Sequence, residues 1–337
     1  MTTDLLQIKG LSVEYDGDRP VRAVDNVSLT VRRGEILGIA GESGSGKSTL
    51  VTAVTRLDRP PARVISGNVL YQAEGREQVD VLALSRAEMR VLRWEHVAVV
   101  FQSAMNALNP VMRLGTQFAD VLKEHRRLRR AEAWLRAGEL LELVGIPADR
   151  VRSYPHELSG GMRQRATIAL ALACEPELII MDEPTTAVDV VMQRQILRRA
   201  INLKRQLGFA VVFVTHDLSL LVEIADRIAI MYAGRVVELG GARDLYRDPQ
   251  HPYTRGLRDA FPPLHGKRRT LQGIGGSPPD LRRPPVGCAF HPRCHAAFTP
   301  CREHQPPKIP VGDREVACWL HDISKAQVHE PHPEAVQ

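Results

Sequence analysis

The run ILGIA from Ile36 to Ala40, followed by GESGSGKS from Gly41 to Ser48, limits the possible folds more than any other part of this sequence. Five apolar residues suit a strand buried on both faces. The loop after it fits G-x-x-x-x-G-K-[ST] at Gly41, Gly46, Lys47 and Ser48. Its small residues (Ser43, Gly44 and Ser45 among them) let backbone N–H groups converge on a phosphate, and the helix that follows offers its positive end. The stretch from Ser48 through Thr49 to Leu57 reads as that helix, stopping before Pro60-Pro61. Strand, glycine loop and helix in this order predict a parallel α/β core with a phosphate site at its edge. In such a site Lys47 bridges β- and γ-phosphates, and the Ser48 hydroxyl ligates Mg²⁺. The loop occurs once, and no internal repeat accompanies it.

The rest of the chain divides around that core. Leu5 to Tyr15 and Val24 to Val31 place apolar residues at alternate positions, as half-buried antiparallel strands do. Asn106 to Tyr154 turns to Leu, Ala, Glu and Arg at helical spacing, clearest in LRAGELLELVGI, and predicts an inserted helical lobe. Leu178 to Met181 and Ala210 to Val214 are buried-strand runs that each follow a helical segment, so the parallel pattern resumes. After about Arg247 proline and glycine rise, in PPLHGK, GGSPPD and RRPPVG, and the tail reads as loop-rich.

Composition excludes little. At 337 residues, 44% apolar and 25% charged, the chain has the make-up of an ordinary globular protein. No apolar run approaches the roughly 18 residues of a membrane span, and MTTDLLQIKG lacks the features of a signal peptide. A cytosolic protein able to dock on a membrane partner is expected. The net charge of +6 admits anionic partners. The densest basic run (Arg126, Arg127, Arg129, Arg130) reads as a solvated helical face, with no interleaved aromatics to stack on nucleic acid.

A second acidic site is needed to hold the metal, and LIIMDEP supplies Asp182 and Glu183 at the end of a buried strand, where open α/β sheets bind ligands. Asp182 is placed to contact Mg²⁺ through water and Glu183 to polarise the attacking water. LSGGM, Leu158 to Met162, opens another helix whose N-terminus suits an anion. One chain has no evident need of two γ-phosphate cradles. Two chains packed head to tail do, each glycine loop facing the other's LSGGM.

Taken together, these motifs resemble those of ABC-type ATP-binding subunits over about residues 5–250. The resemblance assigns Tyr15 to the adenine-stacking aromatic, Gln102 in VVFQ to the Q-loop, Asp189 in TTAVDV to the D-loop and His216 in VTHD to the switch histidine. Val188 stands where that D-loop usually has leucine. The implied fold is a P-loop (RecA-like) α/β parallel-sheet core with an antiparallel β subdomain, an inserted helical subdomain at about 104–160, and a small loop-rich, metal-stapled extension over 251–337. The nucleotide-binding domain would be 1–250. The resemblance implies ATP sandwiched between Lys47 and Ser48 of one subunit and Ser159, Gly160 and Gly161 of the other. Glu183 and His216 position water and γ-phosphate, and Gln102 senses the γ-phosphate or Mg²⁺ and reports to the lobe that grips transmembrane subunits.

The tail carries a second resemblance. HPYTRGL at His251, then GCAFHPRC with Cys301 and Cys318, is similar to the extension of ATP-binding subunits in oligopeptide and dipeptide importers and in related nickel or glutathione importers. Cys288, Cys294, Cys301 and Cys318 are separated by five, six and sixteen residues, without a C-x-x-C pair, so spacing alone is a weak metal signal. Disulfides are disfavoured among reduced thiols. A tail with a small core needs a staple, and four thiolates can ligate a [4Fe–4S] cluster or zinc; four unligated buried thiols are the other reading. The resemblance favours iron–sulfur over zinc, as a structural staple. Cys174, in ALALAC, reads as core packing.

What the resemblance implies is an ATPase on the cytoplasmic face of the membrane. Its partners would be a paralogous ATP-binding subunit, favoured over a second copy, two permease subunits and, indirectly, an extracytoplasmic solute-binding protein. No nucleic acid is expected. The rival readings are a soluble ABC ATPase of DNA repair or translation, an ABC exporter subunit, and a nucleotide-binding regulator without catalysis. One glycine loop, a short helical insertion, the cysteine tail, and intact Glu183 and His216 weigh against them.

Overall fold

The computed structural model describes residues 4–101, 107–184, 190–260, 273–322 and 324. The chain opens with two long strands, β1 (Asp4–Tyr15) and β2 (Val21–Arg32), followed by β3 (Ile36–Ala40) and helix α1 (Lys47–Val54). Next come β4 (Ala62–Tyr71), β5 (Val79–Asp80), α2 (Arg86–Val91) and β6 (Val97–Val100). Helices α3 (Leu114–Arg126), α4 (Arg130–Leu143) and α5 (Gly160–Ala171) precede β7 (Leu178–Asp182). Then α6 (Val190–Leu207), β8 (Ala210–Thr215), α7 (Leu218–Ile224), β9 (Arg227–Tyr232) and β10 (Arg235–Gly241) complete the core. Helix α8 (Ala242–Arg247) follows, and the extension contributes α9 (Pro252–Asp259), α10 (Thr299–Glu303), β11 (Ile309–Val311) and β12 (Arg314–Val316).

Two sheets organise these elements. The smaller is antiparallel, in the order β2-β1-β4-β5. The larger runs β11-β12-β10-β9-β3-β8-β7-β6. Within it β3 lies parallel to β8 and β9, and β7 parallel to β6 and β8. The expected buried strands sit at its centre: every residue of β3, β7 and β8 is buried, as the continuous apolar runs require of strands covered on both faces. One hydrophobic cluster includes Ile36, Met181, Phe213 and the helical lobe, and the other includes Leu37, Ile180, Val212 and the small sheet. Alternate residues of one strand thus serve opposite cores.

Two local readings need correction. Helix α1 ends at Val54 rather than Leu57, and Arg56 adopts φ 51°, a left-handed conformation that stops the helix. The run Arg126–Arg130 is exposed but is not a helical face. Arg127 takes φ 55° and breaks the chain between α3 and α4. Arg126 turns inward there to donate to the Cys174 carbonyl at 2.7 Å. Cys174 itself is buried in the core, and burial pushes its thiol up to about 11.

The lobe holds together by apolar packing among α3, α4 and α5. Leu114, Phe118 and Leu122 recur at helical spacing on α3 and meet Ala137, Leu140 and Leu141 of α4. Gly115 of α3 allows this approach, since a Cβ there would run into the Trp134 ring of α4. Phe118 is wholly buried at that seam. Phe118→Ala is expected to destabilise the protein by about 3–5 kcal/mol in urea denaturation, the usual cost of emptying a buried phenylalanine site.

Candidate nucleotide site

Strand β3 delivers the chain to Gly41 at the carboxyl end of the central parallel strands, and the loop closes back on itself before α1. Gly41 and Gly46 have φ of 157° and 97°. A Cβ at Gly41 would overlap the carbonyl oxygen of Met231, and one at Gly46 that of Ala23. Only glycine permits both approaches. Ser43, Gly44 and Ser48 face solvent, whereas Ser45 is buried.

Lys47 is 5% exposed, and its ammonium donates to the carbonyls of Gly41 at 2.8 Å and Glu42 at 2.9 Å, with Ser45 Oγ at 3.4 Å. Burial pulls its pKa down, while Glu183, Asp182 and Glu42 oppose the shift. The ammonium is therefore wrapped by loop oxygens that phosphate oxygens can replace. Tyr15, at the end of β1, shares a hydrogen bond of 3.0 Å with Thr49 Oγ1, which fixes the aromatic ring beside the first turn of α1.

The carboxylates sit at the end of β7. Asp182 is 4% exposed, and its Oδ1 has no hydrogen-bond partner. Burial raises its pKa, and a hydrogen bond from Ser48 counters this. A buried carboxylate oxygen without a partner, next to the hydroxyl of the glycine loop, fits a hard cation with oxygen ligands such as Mg²⁺. The neighbouring Glu183 takes φ 44°, a conformation costly for a residue with a side chain. Its N–H donates to the Val214 carbonyl of β8 at 2.9 Å, which ties the strained residue to the adjacent strand. His216, just past β8, brings Nδ1 to 3.5 Å from Glu183 Oε1. The ends of three parallel strands thus bring Lys47, Asp182, Glu183 and His216 together.

Ser159 caps α5, accepting from the Met162 N–H at 3.3 Å, and is exposed. Gly160 and Gly161 form the first turn of that helix. Gln102 and Asp189 lie outside the described residues.

The four tail cysteines are all free thiols, and with His251, Phe290 and Trp319 they line one cavity. Burial pushes Cys288 up to about 11 and Cys318 up to about 12, and raises Cys294. Among the described residues, no group of three or more His, Cys, Asp or Glu side chains is arranged to hold a metal ion.

Sequence reading overlooked two residues here. Arg293, between Cys288 and Cys294, makes a bidentate pair with Glu42 of the glycine loop, at 2.7 and 3.0 Å. Tyr253 of α9 accepts from the Glu42 N–H at 2.8 Å. An arginine held between two cysteines of a compact loop was the available signal, but its partner is remote in sequence.

Comparison with known proteins follows the same division. The ABC transporter family matches residues 24–186, and the oligopeptide/dipeptide transporter C-terminal region matches residues 237–301. A probable peptide ABC transporter ATP-binding protein of Sinorhizobium fredii is 45% identical, covering 94% of each chain. The oligopeptide transport ATP-binding protein OppD of Bacillus subtilis is 43% identical, covering 99% of this chain and 93% of its own. Among solved structures, the dimeric post-hydrolysis state of the ATP-binding cassette MJ0796 bound to ADP and phosphate superposes with a TM-score of 0.62. It is 29% identical and covers 71% of this chain and 99% of its own.

The Gly46 contact yields a direct check. Gly46→Ala forces a left-handed alanine against the Ala23 carbonyl, so it should lower unfolding free energy by about 1–3 kcal/mol in urea denaturation. It should also abolish retention of a fluorescent ATP analogue.

Proposed function

The chain belongs to the ABC transporter ATP-binding proteins of the oligopeptide/dipeptide type, and on that premise we propose that it powers uptake of di- and oligopeptides across the cytoplasmic membrane. The observation that carries the reading is the convergence of Lys47, Asp182, Glu183 and His216 where β3, β7 and β8 end. Binding energy here comes from charge. Loop N–H groups and Lys47 receive the phosphates, and Tyr15 stacks on the base. Ser48 and Asp182, with Gln102, would hold Mg²⁺, which supplies charge neutralisation to the phosphates.

Glu183 then accepts a proton from the attacking water, and His216 orients the γ-phosphate against it. Ser159, Gly160 and Gly161 of a second subunit close over the nucleotide from the other side, and the likeness to the family assigns Asp189 a role at that interface. Closure joins two half-sites, and loss of the bridging γ-phosphate charge lets them part. A paralogous subunit is the favoured partner, since the importer type pairs related chains. Two permeases receive the motion through the helical lobe. No helix among the described residues is long and apolar enough to cross a membrane. The subunit is read as peripheral, docked on permeases at the cytoplasmic face, from its likeness to ATP-binding subunits of peptide transporters. The working division is a nucleotide-binding domain over 1–250, with the lobe at about 104–160, and an extension over 251–337.

For the tail, Cys288, Cys294, Cys301 and Cys318 would hold a [4Fe–4S] cluster. Four thiolates on a single zinc must converge on one point at about 2.3 Å. The four thiols line one cavity, four thiolates can serve either group, and the likeness to the importer-type extension is what favours the cluster. Its contribution is to cross-link loops that bury little apolar surface, and zinc is the runner-up.

Two experiments test these assignments. Glu183→Gln should still bind MgATP while turnover of the assembled transporter falls at least about a hundredfold, the scale of losing a general base. Unchanged turnover removes Glu183 from its role. Anaerobically purified protein should carry iron and sulfide with visible absorbance, both lost in Cys288→Ser. Stoichiometric zinc without iron would instead establish the runner-up.

A further inference from the structure

Glu42 is the first variable residue of the glycine loop, and the motif places no requirement on its side chain. It is nonetheless held from three directions. Its carbonyl accepts from Lys47 at 2.9 Å, its N–H donates to the Tyr253 hydroxyl at 2.8 Å, and its carboxylate forms the bidentate pair with Arg293. Two of these three anchors come from the extension rather than from the nucleotide-binding core.

Both anchors are built rather than incidental. Arg293 has a side chain only 6% exposed, and each of its donors is used. Nε–H meets the Gly275 carbonyl at 2.8 Å. One terminal nitrogen serves Glu42 and the Tyr232 hydroxyl, and the other serves Glu42 and the Ile274 carbonyl. The guanidinium also lies 5.9 Å from the ring centres of both Tyr232 and Phe290. Tyr253 is fully buried, with its ring 4.5 Å from that of Tyr232 and 5.4 Å from that of Phe290. Such a pair is planar, charge-assisted and shielded from water on most sides, so it fixes direction as well as distance.

We propose that Arg293 and Tyr253 are positioning residues of the nucleotide site, bracing the phosphate loop through Glu42 so that it holds its binding shape before nucleotide arrives. The inference rests on the reading of Gly41–Thr49 as the phosphate cradle. Five exposed or glycine positions (Gly41, Ser43, Gly44, Gly46 and Ser48) in a short loop have many accessible conformations, and a ligand that must order them binds more weakly. The brace removes that cost at the residue whose carbonyl also holds the Lys47 ammonium. Releasing Glu42 therefore loosens both the loop and the lysine it shelters. Neither residue need touch nucleotide, so the effect belongs to affinity rather than to the chemical step.

The test is a double-mutant cycle on the full-length chain, with equilibrium binding of mant-ATP and Mg²⁺ as the main readout. Arg293→Gln and Glu42→Gln are each expected to weaken binding by about tenfold, the scale of a lost charge-assisted bond. The double variant should be no weaker than either single one, because the pair acts as a unit. Tyr253→Phe removes one hydroxyl and should weaken binding by about threefold. Arg293→Gln in the assembled transporter should raise KM for ATP while kcat stays within about twofold. Lys308→Ala breaks tail contacts to Ser28 and Glu315 without touching Glu42, and should leave binding unchanged. Unchanged or tighter binding in Arg293→Gln, additive effects in the double variant, or an equal loss in Lys308→Ala would overturn the brace. A wild-type chain that fails to bind mant-ATP would instead remove the phosphate-cradle reading on which the brace depends.

Discussion

Three stretches of backbone meet at Gly46, and the geometry of the whole site depends on their contact. The carbonyl of Ala23 in β2 faces the Cα of Gly46, and Gly234, in the turn between β9 and β10, packs against the same face of that glycine. Gly234 donates to the Ser45 carbonyl at 3.1 Å, and its own carbonyl accepts from Asp25 at 2.9 Å. Arg235 and Asp25 form an ion pair beside them at 2.6 Å. Strand β2 belongs to the antiparallel sheet, while β9 and β10 belong to the large one. The glycine loop is thus one place where the two sheets join. Its glycines are needed twice over, for phosphate approach and for closure between sheets.

The same packing puts charge where water is scarce. Burial lowers the Lys47 pKa and raises that of Asp182, so each group is pushed toward its neutral form. A polyanion with a divalent cation reverses both pressures at once: phosphate favours the ammonium, and the cation favours the carboxylate. The strained backbone of Glu183 fits this view, because the neighbouring strand holds it in place through Val214. Electrostatic tension in the free protein becomes affinity for the charged ligand.

What could be read in the sequence follows from locality. The glycine loop and LIIMDEP each contain in a few consecutive residues the groups that the fold brings together, and continuous apolar runs marked the buried parallel strands. Pattern reading failed where one backbone angle decides the outcome. Arg127 looks like part of a basic helix until its left-handed φ breaks the chain. The hairpin of β11 and β12 has strands of three residues each, too short for alternation to reveal, although Gly312 at φ 58° makes its turn. The pairing of Glu42 with Arg293 spans 251 positions, and no periodicity connects them.

The extension is fastened along a continuous line of polar contacts. Glu238 in β10 is fully buried, and its carboxylate accepts from the N–H groups of Gln250 at 3.0 Å and His251 at 2.9 Å. A buried carboxylate persists only when such donors satisfy it. Here they set the start of α9. His251 Nδ1 then accepts from the Tyr253 N–H at 3.0 Å, which requires a neutral ring with its proton on Nε2. Burial enforces that form by pulling the His251 pKa down to about 3. Tyr253 in turn reaches Glu42, and Phe290 packs on its ring just before the turn that carries Arg293. Strand β12 pairs with β10 alongside Glu238, so the hairpin covers the strand that begins this line. The cysteine loop is closed by the Cys288 N–H to the Cys301 carbonyl at 2.8 Å, and Arg293 projects from it onto the phosphate loop. Closing that loop and aiming that arginine are therefore one structural task, since the turn between Cys288 and Cys301 carries the guanidinium that reaches Glu42.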